Sequence, residues 1–87
     1  MPKSLVGAVR EKVDAGMLPL NDPAKLWVGR GNGYRCAVCE QAILKSQIEY
    51  EPQYDDGLPL VLMHAGCHRV WEAERRRRGD ARLIGKI

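Results

Sequence analysis

Cys36-Ala37-Val38-Cys39 and His64-Ala65-Gly66-Cys67 are the two stretches that decide how this chain is read. Each places two metal-ligating side chains three positions apart, and together they supply three sulfurs and one imidazole. Cys3His is an established ligand set for structural zinc, and four protein ligands close a tetrahedral site. The residues between the pairs, 40–63, are enough for one β-hairpin. The expectation is one structural Zn2+ held by Cys36, Cys39, His64 and Cys67, with the domain organised around it. His68 is the rival to Cys67 as fourth ligand. One helical turn brings Cys67 into reach of the metal together with His64, which leaves His68 pointing elsewhere.

Length and composition agree with a metal-stapled domain. A chain of 87 residues implies a single domain, 1–87. Domains this short bury a modest fraction of their surface, and a metal commonly supplies the missing stability, on the order of 10 kcal/mol for a structural zinc. The chain contains no Phe. Its three cysteines are an odd number, which speaks against a disulfide framework and for thiols kept reduced. Pro2-Lys3-Ser4 leads into a segment broken by Arg10, Glu11 and Lys12, unlike a signal peptide, and no apolar run is long enough to span a membrane. The expected location is the cytoplasm. The formal charge is +3, lowered by one when zinc binds three thiolates. A weakly basic balance does not by itself imply a nucleic-acid partner.

Upstream of the first cysteine pair, residues 4–28 read as a helical segment. Ser4 is an N-cap candidate and Gly16 a C-terminal stop for a helix over 4–15. Leu5, Val9 and Val13, with Val6 alongside, form one narrow apolar stripe that either packs on the zinc domain or binds a partner. Met17 to Pro23 is a connector with prolines at 19 and 23. Asn21 or Asp22 ahead of Pro23 predicts a helical turn over Ala24–Val28 that carries Leu26 and Trp27 into the core. Gly29-Arg30-Gly31-Asn32-Gly33 reads as a tight lead-in to the first cysteine pair. A phosphate-binding loop is disfavoured, because the glycines neither follow an apolar strand nor open a helix. Arg30 and Arg35 are the candidates for anion contact there.

The core, 29–79, continues with a turn at Cys36–Cys39 whose amides can face the sulfurs. Gln47 to Tyr54 alternates, with Ile48, Tyr50, Pro52 and Tyr54 on one face and Glu49, Glu51 and Gln53 on the other. Asp55-Asp56-Gly57 is a turn signal, and Leu58 to Met63 is an apolar strand, so the two runs predict a hairpin. Pro52 lacks a ladder donor and belongs at a free edge or bulge. Ala65 to Arg78 reads as a helix stopped by Gly79, with His64 at the preceding strand end and Cys67 in the first turn. Trp71, four residues after Cys67, should lie beside the metal. The tail, 80–87, offers Leu83, Ile84 and Ile87.

The order of turn, hairpin and ligand-bearing helix, preceded by a short N-terminal helix, makes a small α+β zinc-bound domain that resembles the treble-clef zinc finger. The pattern Cys36-x2-Cys39, Ile43, His64-x2-Cys67 is similar to the first zinc-binding half of a LIM domain, without the second half. Trp27, Gly29, Gly31 and Gly33, with Trp71, Glu74 and Arg75, also resemble the lead-in and helix end of small bacterial zinc-finger-like proteins of uncharacterised function. The resemblance spans roughly residues 27–78. It implies a fold more than an activity, since treble clefs serve binding modules, nucleases and ribosomal proteins alike. The His-Asn-His nucleases of that class need a histidine on the first hairpin strand, and this strand has none. The chain is therefore expected not to be an enzyme.

Arg75-Arg76-Arg77-Arg78 is the strongest charge feature. Four consecutive residues turn about 300° around a helix and cannot form one flat basic face. Glu72 and Glu74 stand four residues ahead of Arg76 and Arg78, the favourable order for helix pairs. With Arg69, these arginines form the candidate nucleic-acid contact. Glu49, Glu51, Asp55 and Asp56 would repel a phosphate backbone. A two-signed surface suits a protein partner or self-association, so the first expectation is a zinc-bound interaction module docking on a protein. The alternative is a small nucleic-acid-binding regulator.

Overall fold

The computed structural model describes residues 4–54 and 61–84, with side chains through Gly79. Its elements run α1 (Leu5–Asp14), β1 (Lys25–Arg30), β2 (Ile48–Gln53), β3 (Met63–His64) and α2 (Ala65–Ile84). The three strands form one antiparallel sheet in the order β1-β2-β3, and α1 packs on α2. The result is a small α+β fold. The expected turn at Asp55–Gly57, the strand start at Leu58–Leu60 and Ile87 lie outside the described residues.

α1 follows from its local signals. The Ser4 hydroxyl accepts the Gly7 amide at 3.1 Å, capping the first turn. At the other end Gly16 takes φ +76, a left-handed conformation that glycine adopts without steric cost. Met17 N then bonds Lys12 O at 2.8 Å and Gly16 N bonds Val13 O at 3.1 Å, satisfying carbonyls the helix leaves free. Val9 and Val13 are buried, so the stripe packs within the molecule, although Leu5 and Val6 stay partly exposed. The connector is held by α2. The Trp71 indole N–H donates to Pro19 O at 3.0 Å, and Arg75 donates to Leu20 O and to Asp22.

Three expectations are corrected here. Residues 24–28 do not make an inward helical turn. Lys25–Arg30 is instead a strand in unbroken register with β2, from Lys25↔Gln53 to Arg30↔Ile48. Asp22-Pro23 opens a loop as readily as a helix, and pairing along a whole strand outweighs that weak local signal. Consequently Trp27 is not core: it is 54% exposed, its N–H on Gln53 Oε1 at 2.8 Å. Nor does Gly79 stop α2, which continues to Ile84. Its φ is not positive, so it sits in the helix at a cost of about 1 kcal/mol relative to Ala.

Pro52 lies in the central strand yet respects the ladder. Gly31 N bonds Gln47 O at 3.0 Å, and alternation along the β1–β2 register from that bond turns residue 52 away from β1. It faces the flank where β3 pairing has already ended, at Tyr50↔Met63. β3 itself is only Met63–His64, shorter than the apolar run that announces it.

The core joins Val9, Val13 and Leu18 to Val38, Ile43, Leu62, Met63 and Trp71, with Cys36 and Cys67 inside it. The glycine lead-in threads beneath the turn at 43–44. A Cβ on Gly31 would stand 2.3 Å from Leu44 O and 2.4 Å from Ile43 O, whereas one on Gly29 would meet nothing within 4 Å. Two backbone oxygens cannot step aside as a flexible side chain would. Gly31→Ala is therefore expected to destabilise the metal-loaded protein by about 1–3 kcal/mol in denaturant unfolding. Gly29→Ala should stay within about 0.5 kcal/mol, and equal effects would contradict the close approach.

Candidate metal centre

The four predicted ligands converge. Sγ of Cys36, Cys39 and Cys67 and a ring nitrogen of His64 all lie within 4.8 Å of one another. Three elements deliver them. The turn after Arg35 supplies Cys36 and Cys39, the end of β3 supplies His64, and the first turn of α2 supplies Cys67. The turn is closed by Glu40 N on Cys36 O at 3.0 Å and Cys36 N on Gln41 O at 2.9 Å. Glu40 adopts φ 65 to complete it. Ala37 N on Leu62 O, at 2.7 Å, ties this turn to the segment that leads into His64.

The histidine is oriented as a ligand. Its Nε2 faces two acceptors, Ala42 O and Gln47 Oε1, each at 3.2 Å, so the proton belongs on Nε2. Nδ1 is left with its lone pair 3.4 Å from Cys39 Sγ. Such an outer hydrogen bond selects the tautomer and holds the ring for the metal. Gln47 is itself fixed, its Oε1 accepting Leu44 N at 2.8 Å. Neither Gln47 nor the Ala42 carbonyl was legible as part of the site, because each reaches His64 only through the fold.

Electrostatics asks for a cation. Burial pushes the Cys36 thiol up, but the backbone N–H groups of Cys39, His64 and Val38 outweigh it and bring the thiol down to about 7. The Val38 amide stands 3.4 Å from that sulfur. Cys67 moves the opposite way: burial, then the neighbouring Cys36 and Cys39 sulfurs, hold its proton far above neutrality. One sulfur is thus prepared as a thiolate while its neighbour resists becoming another. A divalent ion resolves this conflict, since its charge offsets the thiolates at once. Tetrahedral bonds of metal to sulfur and nitrogen would space the donors about 3.3–3.8 Å apart, a contraction of roughly 1 Å for the widest pair.

Trp71 is fully buried, packed in the same core as Cys67. His68 is half-buried rather than a surface residue. Its ring stacks on Tyr50 at 4.6 Å and tilts against Trp71 at 5.6 Å, and burial holds its pKa below the ordinary value. Glu49, opposite His64 across the sheet, keeps a buried carboxylate oxygen with no hydrogen-bond partner among the described residues.

The candidate anion-contact residues do not form one site. Arg75 is bound to Asp22 and Glu72 and lies over the Trp71 ring at 4.7 Å. Glu72 therefore pairs with Arg75 and not, as the spacing suggested, with Arg76. Arg77 and Arg78 both hold Glu74, which Arg10 of α1 reaches at 3.0 Å, and Arg78 adds Asp14 at 2.9 Å. Three arginines of the run thus fasten the molecule together. Arg30, Arg35, Arg69 and Arg76 are exposed and make no ion pair among the described residues. Glu74 is only 4% exposed and is the hub of this network, a role visible in sequence only as the spacing to Arg78.

Comparison of the chain with protein-family models, with curated proteins and with solved structures finds no match.

Two outcomes are expected of these groups. Metal binding at neutral pH must displace the Cys67 proton, and below about pH 7 the Cys36 proton as well. The affinity for a divalent ion should fall as pH is lowered, by at least about tenfold per unit above pH 7 and at least about a hundredfold per unit below it, in competition titration; a pH-independent affinity would contradict the thiolate cluster. Hydrogen bonds from Arg77, then Arg78 and Arg10, hold the Glu74 carboxyl well below the usual carboxylate range despite its burial. Its stabilisation is complete above the unfolded-chain pKa of about 4.3 and declines as pH falls below it. Glu74→Gln should cost about 1–3 kcal/mol at neutral pH and flatten the acid limb of the stability profile.

Proposed function

We propose that this chain is a non-catalytic zinc-binding interaction module that docks on a protein partner. Zinc is the ion favoured by three sulfurs and one imidazole around a tetrahedral position. The turn at Cys36–Cys39, the strands and a helix carrying Cys67 in its first turn support a treble-clef-like reading of the fold. Four protein donors leave no position for a reacting water, and His68, enclosed by Tyr50 and Trp71, is a poor general base. The scaffold role favours a location where thiols stay reduced, such as the cytoplasm.

The observation that carries the docking reading is β1. Leu26, Trp27 and Val28 are 44%, 54% and 56% exposed on consecutive positions of a strand that is exposed along its length. Leu26 and Val28 stand on one face of this strand and Trp27 on the other, and a long strand edge with exposed apolar residues on both faces is a template for pairing with another chain. The nucleic-acid alternative now rests on Arg30, Arg35, Arg69 and Arg76, because the rest of the run is engaged internally.

Metal analysis of the purified chain should give one equivalent of zinc. Capture with the full chain from its native cell should recover a partner that Trp27→Ser loses while keeping its zinc. Salt-sensitive retention on heparin, abolished by replacing Arg30, Arg35, Arg69 and Arg76 with Ala, would support the nucleic-acid alternative instead. Partner recovery undiminished by Trp27→Ser would overturn docking through β1.

A further inference from the structure

β1 is an edge strand, and its outer side carries an unused ladder. The bond from Gly31 N to Gln47 O fixes which residues of β1 face β2. By alternation, Lys25, Trp27 and Gly29 direct their amides and carbonyls to β2, and Leu26, Val28 and Arg30 direct theirs outward. Among the described residues no strand pairs with that edge. Edge strands of natural proteins are usually shortened, bulged or covered. This one is six residues long with unbroken register and three apolar residues in a row.

We infer that β1 pairs with β1 of a second copy of this chain, antiparallel and centred on Trp27, joining two three-stranded sheets into one of six strands. This rests on the reading of β1 as a docking surface and names its occupant. The register follows from elementary constraints. A two-fold axis through the sheet must set opposite residues on the same face, so the centre falls on a residue rather than between two. The hydrogen bonds must join outward-facing residues, which Leu26 opposite Val28 of the second copy satisfies. Centring on Val28 instead would place Leu26 against Arg30.

Centring on Trp27 matches the side chains on both faces. On the face that carries Met63, Leu26 meets Val28 of the second copy, with Pro52 and Tyr50 as the next neighbours in each row. The outcome is a continuous apolar band across the junction. On the other face the two Trp27 rings meet. No like charges oppose each other: Lys25 stands across from Gly29, and Arg30 lies past the start of the second copy's β1, where Ala24 turns its N–H to Gln53 O at 2.7 Å. Gly29 is bare on that face, with open space where a Cβ would be. Beyond it, on β2, is Glu49. Lys25 of the second copy therefore faces Glu49 across two strand spacings, about 10 Å, which a lysine and a glutamate side chain span together. The pairing is isologous and closes at two chains, so it does not propagate into a filament.

Sedimentation of the zinc-loaded full chain from low micromolar to near-millimolar concentration tests this. A monomer–dimer equilibrium is expected, with tryptophan emission moving to shorter wavelength over the same range as Trp27 is covered. Val28→Pro removes only an outward-facing N–H, so pairing with β2 survives while the ladder to a second copy is blocked. Val28→Lys keeps the N–H but sets a charge in the apolar band. Both should raise the dimer dissociation constant by at least about tenfold with zinc content unchanged; should Val28→Pro lose its zinc, Val28→Lys alone decides. A wild-type chain that stays monomeric throughout overturns the inference, as does a dimer that Val28→Lys leaves intact or an assembly that grows beyond two. A monomeric chain whose cellular partner is still lost in Trp27→Ser would leave the docking reading standing and remove only the second copy as its occupant.

Discussion

Three sulfurs and an imidazole are gathered within 4.8 Å at the junction of a turn, a strand end and a helix start, and everything else in the fold is placed with respect to them. Cys36 and Cys67 belong to the buried core as well as to the Cys/His quartet, so the candidate metal centre and the apolar cluster are one body. Trp71 joins that body to the connector through Pro19, and α1 closes over it with Val9 and Val13. The cluster works against itself as a set of thiols, because the environment that lowers the Cys36 thiol lies beside Cys67, whose proton is held more tightly by burial and then by the neighbouring Cys36 and Cys39 sulfurs. The ligands are thus well placed for a metal and poorly placed for each other.

Charge outside the centre is used in the same economical way. The arginine run looks like a surface for anions, yet Arg75 spends its donors on Asp22, Glu72 and Leu20, and Arg77 and Arg78 converge on Glu74. Arg10 reaches that carboxylate from α1 and so crosses between the two helices. A single acidic residue, nearly inaccessible to solvent, brings three guanidinium groups together. Among the described residues, the exposed arginines without an ion pair are the scattered Arg30, Arg35, Arg69 and Arg76.

Much of this was legible in the residues. The convergence of the Cys/His quartet, the Ser4 and Gly16 caps, the alternation of β2 and the start of α2 at the His64–Cys67 pair all rest on local patterns that tertiary structure had no reason to override. Trp27 was misjudged because the expectation that a small domain buries its tryptophans takes no account of a strand left at the edge of a sheet. Gly79 was misjudged because a glycine ends a helix only where the chain needs a left-handed residue, and here it does not. The hydrogen bonds of His64 to Gln47 and Ala42, and of Arg10 to Glu74, join residues far apart in sequence, and no local pattern announces them.

The spacing of the ligand pairs has a thermodynamic consequence of its own. A metal bridging residues 36–39 to residues 64–67 acts as a cross-link, removing conformational freedom from the unfolded chain much as a disulfide over the same loop would. Unlike a disulfide, it is reversible and obeys mass action: its contribution grows with the logarithm of free metal over the dissociation constant. With an ion held by these four residues, the stability of the fold would be partly a property of its surroundings, and the population of folded chains would follow the supply of that ion.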